Sequence, residues 1–571
     1  MTAPVTGPGG PGATLTPVLR DATIRWIADD PSADDRAELQ RVLANAMAGA
    51  PGAVDELQDR MRAPLTFGTA GLRGPLRAGP AGMNLAVVRR AAAGIAAHLI
   101  AGGARGREVV VGYDARHRSA EFAADVAGVL AAAGFSVLLA PSALPTPITA
   151  FAVRHLGAAA GVQVTASHNP PQDNGLKVYL SQGAQLVSPE DSRIEAAIAA
   201  ARPARSIDAD GTPLPWPDEL IQAYLDGVGS LARSTAAQAS GVRVAITPMH
   251  GVGGESAVKA LHLAGFTDVH VVPEQSAPDS DFPTVPFPNP EEHGATDLLL
   301  ALAERVDAGI AIALDPDADR CAIGVPRSGG GWRMLTGDES GALLGDHVLR
   351  TLDRSVHPDP LVATTIVSAE LLGLIAASRD ARYDETLTGF KWIVRAGDGS
   401  GTGLVFGYEE ALGLCVDPDR VRDKDGISAA VLACDLLAGL LATGHRLQDR
   451  LDDLARSHGL FVTGQHSVRV QDLTQITDAM NRLRSSAPAT LLGEPVTEVT
   501  DLLPLTDGIR LRTARVRVVV RPSGTEPKLK AYLQLCSAVP DGADLDQLRS
   551  QADAEMSALT SEVAAAIGLP G

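Results

Sequence analysis

Cysteine is scarce in this sequence. Of 571 residues only four are cysteines, namely Cys321, Cys415, Cys434 and Cys536. They are scattered along the chain, and no two stand at the C-x-x-C spacing that zinc sites and redox motifs use. This scarcity argues against a disulfide framework and against a zinc site, and it predicts small buried thiols in a reducing compartment. We therefore expect a cytoplasmic protein.

Positive charge is also in short supply. Lys and Arg together number 49 and Asp and Glu 68, so the formal net charge is −19. A surface as acidic as this argues against broad nucleic-acid binding. A small anionic substrate remains compatible with it, provided that arginines and lysines cluster in one place.

Long uninterrupted apolar runs are missing. The two longest candidates cover residues 85–104, which include Arg89, Arg90 and His98, and residues 361–378, which include Glu370. Neither is a plausible membrane span, and we expect no membrane association. Residues 1–16 have neither a basic segment nor an apolar one, so they are predicted to form a disordered leader rather than a signal peptide.

Two common catalytic signatures are missing as well. No G-x-x-x-x-G-K-[ST] occurs at a strand-to-helix turn, which argues against a GTPase or a kinase. The sequence around Ser167 is not G-x-S-x-G, and His168 is badly placed to be the base of its immediate neighbour. A Ser-His-Asp hydrolase is therefore a poor fit.

What the chain does contain is a repeated strand–loop–helix unit. A predicted strand over residues 109–114 and a helix over 119–133 have counterparts over 242–246 and 256–263, and a weaker third copy begins at 361. Ala133-Gly134-Phe135 in the first copy matches Ala264-Gly265-Phe266 in the second. Each copy also has a later strand that ends in a polar loop. The predicted fold class is α/β, with three related mixed-sheet α/β domains.

The last hundred or so residues differ in character. Residues 465–470 and 508–520 alternate apolar and polar side chains like half-exposed antiparallel strands, and helical stretches accompany them. A C-terminal α+β domain is the prediction. Because the length suggests roughly four domains at about 150 residues each, we predict domains over residues 17–225, 226–335, 336–458 and 459–571, after the leader.

A serine at the end of a predicted strand is the first candidate functional residue. Residues 161–164 read as a buried strand, and the motif T-A-S-H-N-P around Ser167 follows it, with Lys177 shortly after. Open α/β sheets bind ligands at the carboxyl ends of their strands. The turn-forming residues beside Ser167 predict an exposed hydroxyl, although an ordinary strand-to-loop junction is the alternative.

Three aspartates at alternate positions form the second candidate. Asp315, Asp317 and Asp319 in D-P-D-A-D-R follow an apolar strand. In an extended segment, alternate residues face the same way, so the three carboxylates converge. Such a cluster needs a cation, and all-oxygen ligands favour Mg²⁺. A solvated acidic turn is the alternative.

Three further loops are rich in polar groups. The motif R-P-S-G-T-E-P over residues 521–527 combines an arginine, two hydroxyls and the backbone N–H groups around a glycine, which suits a phosphate. Glu409 and Glu410 offer carboxylates that can accept hydrogen bonds from adjacent hydroxyls, and T-G-F-K-W over 388–392 offers Lys391 and aromatic surface. Taken alone, each could be a surface turn.

Taken together and in this order, these motifs resemble the α-D-phosphohexomutase superfamily, the phosphoglucomutases and phosphomannomutases. The resemblance covers about residues 65–532. The details F-G-T-A-G-L-R-G, T-P-M-H-G-V-G-G, F-P-N-P-E-E and T-G-F-K-W are most similar to the branch that contains bacterial phosphomannomutase/phosphoglucomutase and the phosphoglucomutase-2/phosphopentomutase type.

The resemblance implies a heart-shaped molecule of four domains with a central cleft to which each domain contributes one loop. It also implies an isomerase, an intramolecular phosphotransferase that needs Mg²⁺. Such an enzyme interconverts 1-phospho and 6-phospho hexoses of glucose or mannose through a phosphoserine and a bisphosphorylated sugar. Glucose 1,6-bisphosphate would be the activator.

The resemblance assigns a role to each candidate residue. The catalytic set is Ser167, which carries the phosphoryl group, with Lys177 and Arg73 as general acid/base candidates and His168 beside the serine. Mg²⁺ would be held by phosphorylated Ser167, Asp315, Asp317 and Asp319, and Arg320 would contact the phosphoserine. The predicted sugar-binding residues are Thr388, Gly389, Lys391, Glu409 and Ala411, and the predicted phosphate-binding residues are Arg521, Ser523, Gly524 and Thr525.

One departure bears on the substrate. The family's sugar loop usually reads G-E-x-S-G, and Ala411 stands here in place of the serine. That change removes a hydrogen bond to the sugar and leaves open whether glucose, mannose or ribose is preferred. The alternatives are a phosphopentomutase, a sugar-bisphosphate synthase, or a phosphosugar-binding protein without turnover. We expect a monomer or weak dimer.

Overall fold

The computed structural model describes residues 14–68, 71–327, 329–470, 472–523 and 528–569. The chain forms two compact units. The first contains the residues up to Asp218 together with the segment Asp279–Phe287, and the second contains Glu219–Pro278 together with the residues from Pro288 onward.

Three helices open the first unit: α1 (Pro17–Asp29), α2 (Ala33–Met47) and α3 (Ala53–Arg60). Thr16 and Ser32 cap the first two, since each side chain accepts a hydrogen bond from a backbone N–H of the first turn. Leu39, Leu43 and Leu57 form a small core among them. Most of the predicted leader, residues 1–13, lies outside the described residues.

The first unit contains a seven-stranded mixed sheet in the order β1-β2-β6-β5-β3-β4-β7. Its strands are β1 (Phe67–Gly68), β2 (Gly71–Pro75), β3 (Glu108–Tyr113), β4 (Ser136–Leu139), β5 (Ala160–Val164), β6 (Asp173–Leu180) and β7 (Leu214–Pro215). Every residue of β5 is buried, as expected of a strand in a sheet that is covered on both faces.

Helices cover this sheet on both sides. They are α4 (Leu85–Ala101), α5 (Ser119–Ala132), α6 (Thr146–His155) and α7 (Glu190–Ala199), with a 3₁₀ turn at Ala204–Ser206. The main core includes residues of α4, α5 and α7 and one face of the central strands. On the other face α6 packs closely, because a Cβ at Gly161 would lie 2.3 Å from Val153 Cγ2.

The second unit begins with a five-stranded sheet in the order β12-β11-β10-β8-β9. Its strands are β8 (Arg243–Thr247), β9 (Asp268–Val271), β10 (Ile310–Leu314), β11 (Cys321–Pro326) and β12 (Trp332–Met334). The helices along this part of the chain are α8 (Asp218–Gly229), α9 (Ala236–Ala239), α10 (Gly253–Leu263) and α11 (Asp297–Arg305), with a 3₁₀ turn at Pro273–Gln275.

A four-stranded sheet follows in the order β14-β13-β15-β16. Its strands are β13 (Leu361–Thr365), β14 (Arg382–Thr386), β15 (Leu404–Glu409) and β16 (Gly413–Cys415). The helices of this part are α12 (Gly337–Thr351), α13 (Leu371–Ser378), α14 (Phe390–Ile393), α15 (Gly426–Leu441) and α16 (Leu447–His458).

The three sheets share one strand pattern, which confirms the predicted repeat, including its weaker third copy. In each sheet, three parallel strands lie side by side and a fourth strand, antiparallel to them, returns along one edge of the three. The order in the sheet is β4-β3-β5-β6, β9-β8-β10-β11 and β14-β13-β15-β16. The return strand pairs with the third parallel strand. The Ser167 loop, the aspartate loop and the loop after Glu409 therefore each lie between a parallel strand and the strand that runs back beside it.

The C-terminal part is an α+β domain, as predicted. Five antiparallel strands are ordered β17-β23-β22-β21-β20, and β18 and β19 form a separate ribbon. The strands are β17 (Leu460–Arg469), β18 (Thr490–Leu491), β19 (Glu494–Pro495), β20 (Glu498–Asp501), β21 (Ile509–Arg512), β22 (Val516–Pro522) and β23 (Lys528–Ser537). The helices α17 (Thr474–Ser485) and α18 (Leu545–Ile567) contribute to a common core with the sheet.

Two short strands pair within the glycine-dense stretch that contains residues 65–68 and 71–74. Phe67 pairs with Leu72 and Gly68 with Gly71, so β1 and β2 form a tight hairpin that extends the sheet beside β6. At Gly71 the backbone passes so close to β6 that a Cβ would lie 2.3 Å from the carbonyl oxygen of Leu176. Glycine permits this approach, which is why glycines here accompany pairing rather than a loop.

The four cysteines are free, and three of them are buried. Among the described residues, no helix combines the length and the apolar character that crossing a bilayer would require.

Candidate active site

Ser167 lies in the loop between β5 and β6 in a left-handed backbone conformation, with φ of 54°. That conformation costs a non-glycine residue roughly 1–2 kcal/mol. The Ser167 N–H donates to Thr165 Oγ1 at 2.8 Å, and Ser167 Oγ lies 3.3 Å from His168 Nδ1. The prediction of an exposed hydroxyl is wrong in this structure, since the residue is 1% exposed. One buried guanidinium donates hydrogen bonds to several backbone carbonyls of this loop.

That guanidinium belongs to Arg116, which sequence reasoning missed. Its Nη2 donates to the carbonyl oxygens of Ser167 and Asn169, and its Nη1 to those of Pro170 and Asp173. Arg116 is 4% exposed. A signal was available, because Arg116 follows β3 at the same end of the sheet as Ser167 follows β5, and β3 and β5 are parallel neighbours.

The two general acid/base candidates lie on strands beside this loop. Arg73 is on β2, and its Nη1 donates to Asn169 Oδ1 at 3.3 Å. Lys177 is on β6, is fully buried, and pairs across the sheet with Gln163 of β5. The fold therefore brings Ser167, His168, Arg73 and Lys177 into one part of the first unit.

The aspartate cluster lies in the second unit, after β10. Carboxylate oxygens of Asp315, Asp317 and Asp319 all lie within 4.8 Å of one another, and all three residues are 0% exposed. Ala318 between them has φ of 57°, which turns the backbone so that the side chains converge. Three buried carboxylates with only oxygen donors fit a hard divalent cation. The triad can hold a metal ion.

Two cations border the triad. Lys424 Nζ lies 2.7 Å from Asp319 Oδ2. Burial opposes the charge on Lys424, but the carboxylates of Asp319 and Asp423 raise its pKa. Arg320 Nε lies 3.9 Å from Asp315 Oδ2 and 3.8 Å from Asp319 Oδ1. Sequence reasoning did not assign Lys424 to the site, since nothing in the local sequence shows that it reaches Asp319.

Arg320 also connects the metal loop to the predicted sugar loop. Its Nη1 donates to the carbonyl oxygen of Ala411 at 2.8 Å, and the Cys321 N–H donates to the carbonyl of Leu412 at 3.2 Å. The two loops, which are nearly a hundred residues apart in sequence, are therefore in direct contact within the second unit.

The two glutamates of the sugar loop have different surroundings. Glu409 Oε1 accepts from the Gly389 N–H at 2.9 Å, which joins the loops that contain Thr388 and Glu409. Burial, aided by the neighbouring Glu410, raises the pKa of Glu409 to about 7. Glu410 instead accepts from the hydroxyls of Thr365 and Ser368. Glu409 is thus the better placed to accept a hydrogen bond from a sugar.

Lys391, the predicted cation of the sugar site, lies on the short helix α14 directly after Gly389. Its backbone carbonyl accepts from Arg395 Nη1 at 2.6 Å. Beside the sugar loop a cavity of about 660 Å³ is lined by Glu410, Leu412 and Tyr532 among others. Ligand pockets for small molecules are commonly of about this size.

The predicted phosphate loop connects β22 to β23. Arg521 lies near the end of β22, and the Ser523 N–H donates to the carbonyl of Lys528 at 2.8 Å. Arg521 also makes a hydrogen bond with Tyr532. Gly524 and Thr525 lie outside the described residues. The described part of the loop thus brings an arginine, a hydroxyl and Lys528 together at one end of the sheet.

Known proteins resemble this chain over most of its length. Family models described as phosphoglucomutase/phosphomannomutase alpha/beta/alpha domains I, II and III match residues 64–205, 222–330 and 336–458, and the model of the C-terminal domain matches 468–552.

Curated relatives carry names from the same family. A protein named probable phosphomannomutase from Haemophilus influenzae is 42% identical over 472 residues, covering 81% of this chain and 95% of its own. The human phosphopentomutase is 31% identical over 607 residues, covering 97% of each.

A solved structure shows the same fold. The crystal structure of a candidate phosphomannomutase from Thermus thermophilus aligns with a TM-score of 0.68 at 25% identity, covering 86% of this chain and all of that one. The chain belongs to the phosphoglucomutase/phosphomannomutase family, whose members are isomerases that move a phosphoryl group within a sugar phosphate.

Proposed function

We propose that this protein interconverts the 1-phosphates and 6-phosphates of a hexose, glucose or mannose, through a phosphoserine at position 167. The observation that carries the proposal is the buried triad of Asp315, Asp317 and Asp319 in a chain that belongs to this family and also has Ser167. A buried cluster of three carboxylates suits a metal ion that neutralises charge during phosphoryl transfer. Cytoplasmic location and a monomer or weak dimer belong to the same proposal.

In this proposal Ser167 carries the phosphoryl group. Its oxygen donates that group to the free hydroxyl of a sugar monophosphate, which gives a sugar bisphosphate and unmodified Ser167. The bisphosphate then turns end for end, and Ser167 takes back the other phosphoryl group. Glucose 1,6-bisphosphate would act as an activator because it phosphorylates Ser167 directly.

Asp315, Asp317 and Asp319 would hold Mg²⁺ together with the phosphate on Ser167. When bound, this ion supplies charge neutralisation on the phosphoryl oxygens, the main requirement of phosphoryl transfer. Arg320 would contact the phosphoserine, since the Asp315 and Asp319 carboxylates and the Ala411 carbonyl hold its guanidinium beside the triad.

Proton transfer would fall to residues on the strands beside Ser167. Lys177 is proposed as the base that takes the proton from the attacking sugar hydroxyl, and Arg73 as its partner in acid/base work. His168, with Nδ1 3.3 Å from Ser167 Oγ, would hold the serine oxygen in place. These roles rest on location in the first unit and on the family's motif.

The substrate would be recognised by two further loops. Glu409, with the segment that contains Thr388, Gly389 and Lys391, would contact sugar hydroxyls, and Ala411 would contribute only its backbone. Arg521 and Ser523, with Gly524 and Thr525 next in sequence, would bind the phosphate that does not react. Arginine suits this task because its planar group can bind two phosphate oxygens at once.

A phosphopentomutase is the second candidate. Relatives named phosphopentomutase from mouse and human cover 96–97% of this chain at 31% identity. The 42% identical relative named probable phosphomannomutase covers less of the chain but is more similar where it aligns, and for that reason we place hexoses first.

Turnover of three substrates under one condition tests the proposal. Purified protein with Mg²⁺ and a trace of glucose 1,6-bisphosphate receives glucose 1-phosphate, mannose 1-phosphate or ribose 1-phosphate. We expect a hexose phosphate to give the highest kcat/KM. Ser167→Ala should lower turnover at least about a thousandfold, whereas the exposed Ser192→Ala should not. Fastest turnover of ribose 1-phosphate would establish the pentomutase, and no turnover of any would revive the binding protein.

A further inference from the structure

The side chain of Arg116 packs against the Ser167 loop and hydrogen-bonds to its backbone. Its guanidinium donates to four backbone carbonyls: Ser167 at 2.6 Å, Pro170 at 2.8 Å, Asp173 at 3.1 Å, and Asn169. The loop carries Ser167 in a left-handed conformation, which costs free energy that its surroundings must offset. Hydrogen bonds from a charged donor are stronger than those between neutral groups, so the four that Arg116 donates can offset that cost.

The guanidinium is itself held on two further sides. Asp114, at the end of β3, lies with Oδ2 3.4 Å from Arg116 Nε, and its Oδ1 accepts from the Arg116 backbone N–H at 3.0 Å. On another side the Phe282 ring centroid lies 5.1 Å from Arg116 Cζ, within the range of a cation–π contact. Arg116 therefore has little freedom to move relative to β3.

Phe282 lies beside Arg116 because a short segment of the chain returns to the first unit. The segment Asp279–Phe287 belongs to the first unit, although the residues before and after it belong to the second. Phe282 is 3% exposed and has φ of 46°. Two other contacts accompany it, a 2.7 Å pair between Asp281 and His117 and a ring contact between Phe287 and His168. The pair is exposed and contributes little, so the buried Phe282 ring and the contact between Phe287 and His168 hold the segment beside Arg116.

We propose that Arg116 is a positioning residue that fixes the Ser167 backbone for phosphoryl transfer, and that Phe282 is a second positioning residue that holds Arg116. The inference rests on the proposed function, since it assumes that Ser167 carries the phosphoryl group. Neither residue touches the reacting atoms. Both act by keeping the carbonyl of Ser167, and hence the direction of its side chain, in one orientation.

The expected effect follows from how sharply phosphoryl transfer depends on alignment. A displacement of about 1 Å at the reacting oxygen can cost roughly a hundredfold in rate. Arg116→Met should therefore lower kcat about a hundredfold and change KM less than about threefold. Arg116→Lys should be intermediate, because one ammonium cannot donate to both sides of the loop. Phe282→Leu should lower kcat about threefold to tenfold, because the free energy of one cation–π contact corresponds to a factor of about this size.

Arg118→Met is the matched control. Arg118 also lies over a phenyl ring, that of Phe122 at 4.8 Å, and also pairs with a buried aspartate. Its described partners are Asp35 and Glu121 rather than the Ser167 loop. The kcat of Arg118→Met should stay within about twofold of the kcat of the unmodified protein.

A second readout does not depend on turnover. Amide hydrogen exchange of the peptide over residues 165–175 should speed up at least about tenfold in Arg116→Met and Arg116→Lys, and it should not change in Arg118→Met. This measurement separates the two proposals. If the unmodified protein shows no turnover, the proposed function fails, while the exchange data still test whether Arg116 holds the loop.

Several outcomes would overturn the inference. One is a kcat within twofold of normal in Arg116→Met. Another is a loss of thermal stability without faster exchange in the peptide, which would make Arg116 merely structural. Should Arg116→Met not fold, Arg116→Lys and Phe282→Leu carry the test, and unchanged kcat and exchange in both would contradict the proposal.

Discussion

The ammonium nitrogen of Lys424 lies 2.7 Å from Oδ2 of Asp319, and both side chains are buried. Lys424 thus occupies one side of a carboxylate cluster that is otherwise strongly negative. Removing a partner from a buried pair typically costs about 3–5 kcal/mol, because it leaves an uncompensated charge.

Lys424→Met should therefore lower the thermal midpoint in the absence of divalent metal. It should also increase the stabilisation on adding Mg²⁺, because the ion then replaces one of the two protein cations that border the triad. Differential scanning calorimetry with and without Mg²⁺ measures both. Lys259→Met, which breaks an exposed pair with Glu255, should change the midpoint little. Equal Mg²⁺ stabilisation in Lys424→Met and the unmodified protein would contradict this account.

Asp317→Asn should weaken Mg²⁺ binding and turnover together. The substitution keeps the size of the side chain but removes one of three converging charges. We expect both Mg²⁺ affinity and kcat to fall about a hundredfold. Titration calorimetry and steady-state kinetics check the two quantities. Asp297→Asn, an exposed aspartate in the first turn of α11, is the control. Normal Mg²⁺ affinity in Asp317→Asn would place the ion elsewhere.

Asp338 should make the stability of the protein fall as pH rises from about 4 to 6. Burial raises the pKa of Asp338 from 3.8 to about 6, so between these values the folded state binds a proton that the unfolded state has released. Stability then decreases with pH, by up to roughly 3 kcal/mol for a shift of about two units. Above pH 6 the effect is complete.

Asp338→Asn removes this titration while its Oδ1 can still accept from the Ala369 N–H and the Tyr408 hydroxyl. Denaturant unfolding at pH 4, 5, 6 and 7 should show a gain in stability that grows with pH. The exposed Asp21→Asn should show no such trend. A gain independent of pH would mean that Asp338 does not titrate in this window.

Arg517 should affect substrate binding although it lies away from the predicted phosphate loop. It is 3% exposed, donates to Glu385 Oε1 at 2.7 Å, and contacts the Ser368 carbonyl. Arg521 lies four residues further along, on the same side of the chain. Arg517→Met should raise KM about tenfold and lower kcat less, because it loosens the strand that carries Arg521.

Arg515→Met is the control for Arg517. Arg515 pairs with Glu494 and Glu555 inside the C-terminal domain, so its loss should leave KM within about twofold. Steady-state kinetics on the preferred sugar phosphate decides the matter. Equal KM values for the two variants would contradict the role of Arg517.

From the sequence, candidate site residues could be identified where they stand close together along the chain. Asp315, Asp317 and Asp319 stand within five consecutive positions, and Ser167 follows the end of an apolar strand by three residues, so their local sequence was enough to single them out. The extended backbone expected at the aspartates is wrong, because the left-handed conformation of Ala318 turns the chain there. Arg116 and Lys424 could not be found in this way. Their partners lie 51 and 105 residues away, and only the pairing of β3 with β5 and the packing of one loop on another bring them together.

The strands likewise differ in how well the local sequence predicted them. Strands with continuous apolar runs, such as β5 and β10, were predicted because both faces are buried. The return strand β6 was not, since Asn174 and Gly175 at its start are poor strand formers and tertiary pairing with β2 and β5 overrides them.

The most direct test of the proposed mechanism is to identify the residue that accepts the phosphoryl group. Protein incubated with Mg²⁺ and glucose 1,6-bisphosphate labelled on phosphorus should take up one labelled group per chain, and peptide mapping should locate it on Ser167. Adding unlabelled glucose 1-phosphate should then release the label from the protein into sugar bisphosphate. Label on another residue, or label on Ser167 that no sugar phosphate removes, would contradict the phosphoserine mechanism.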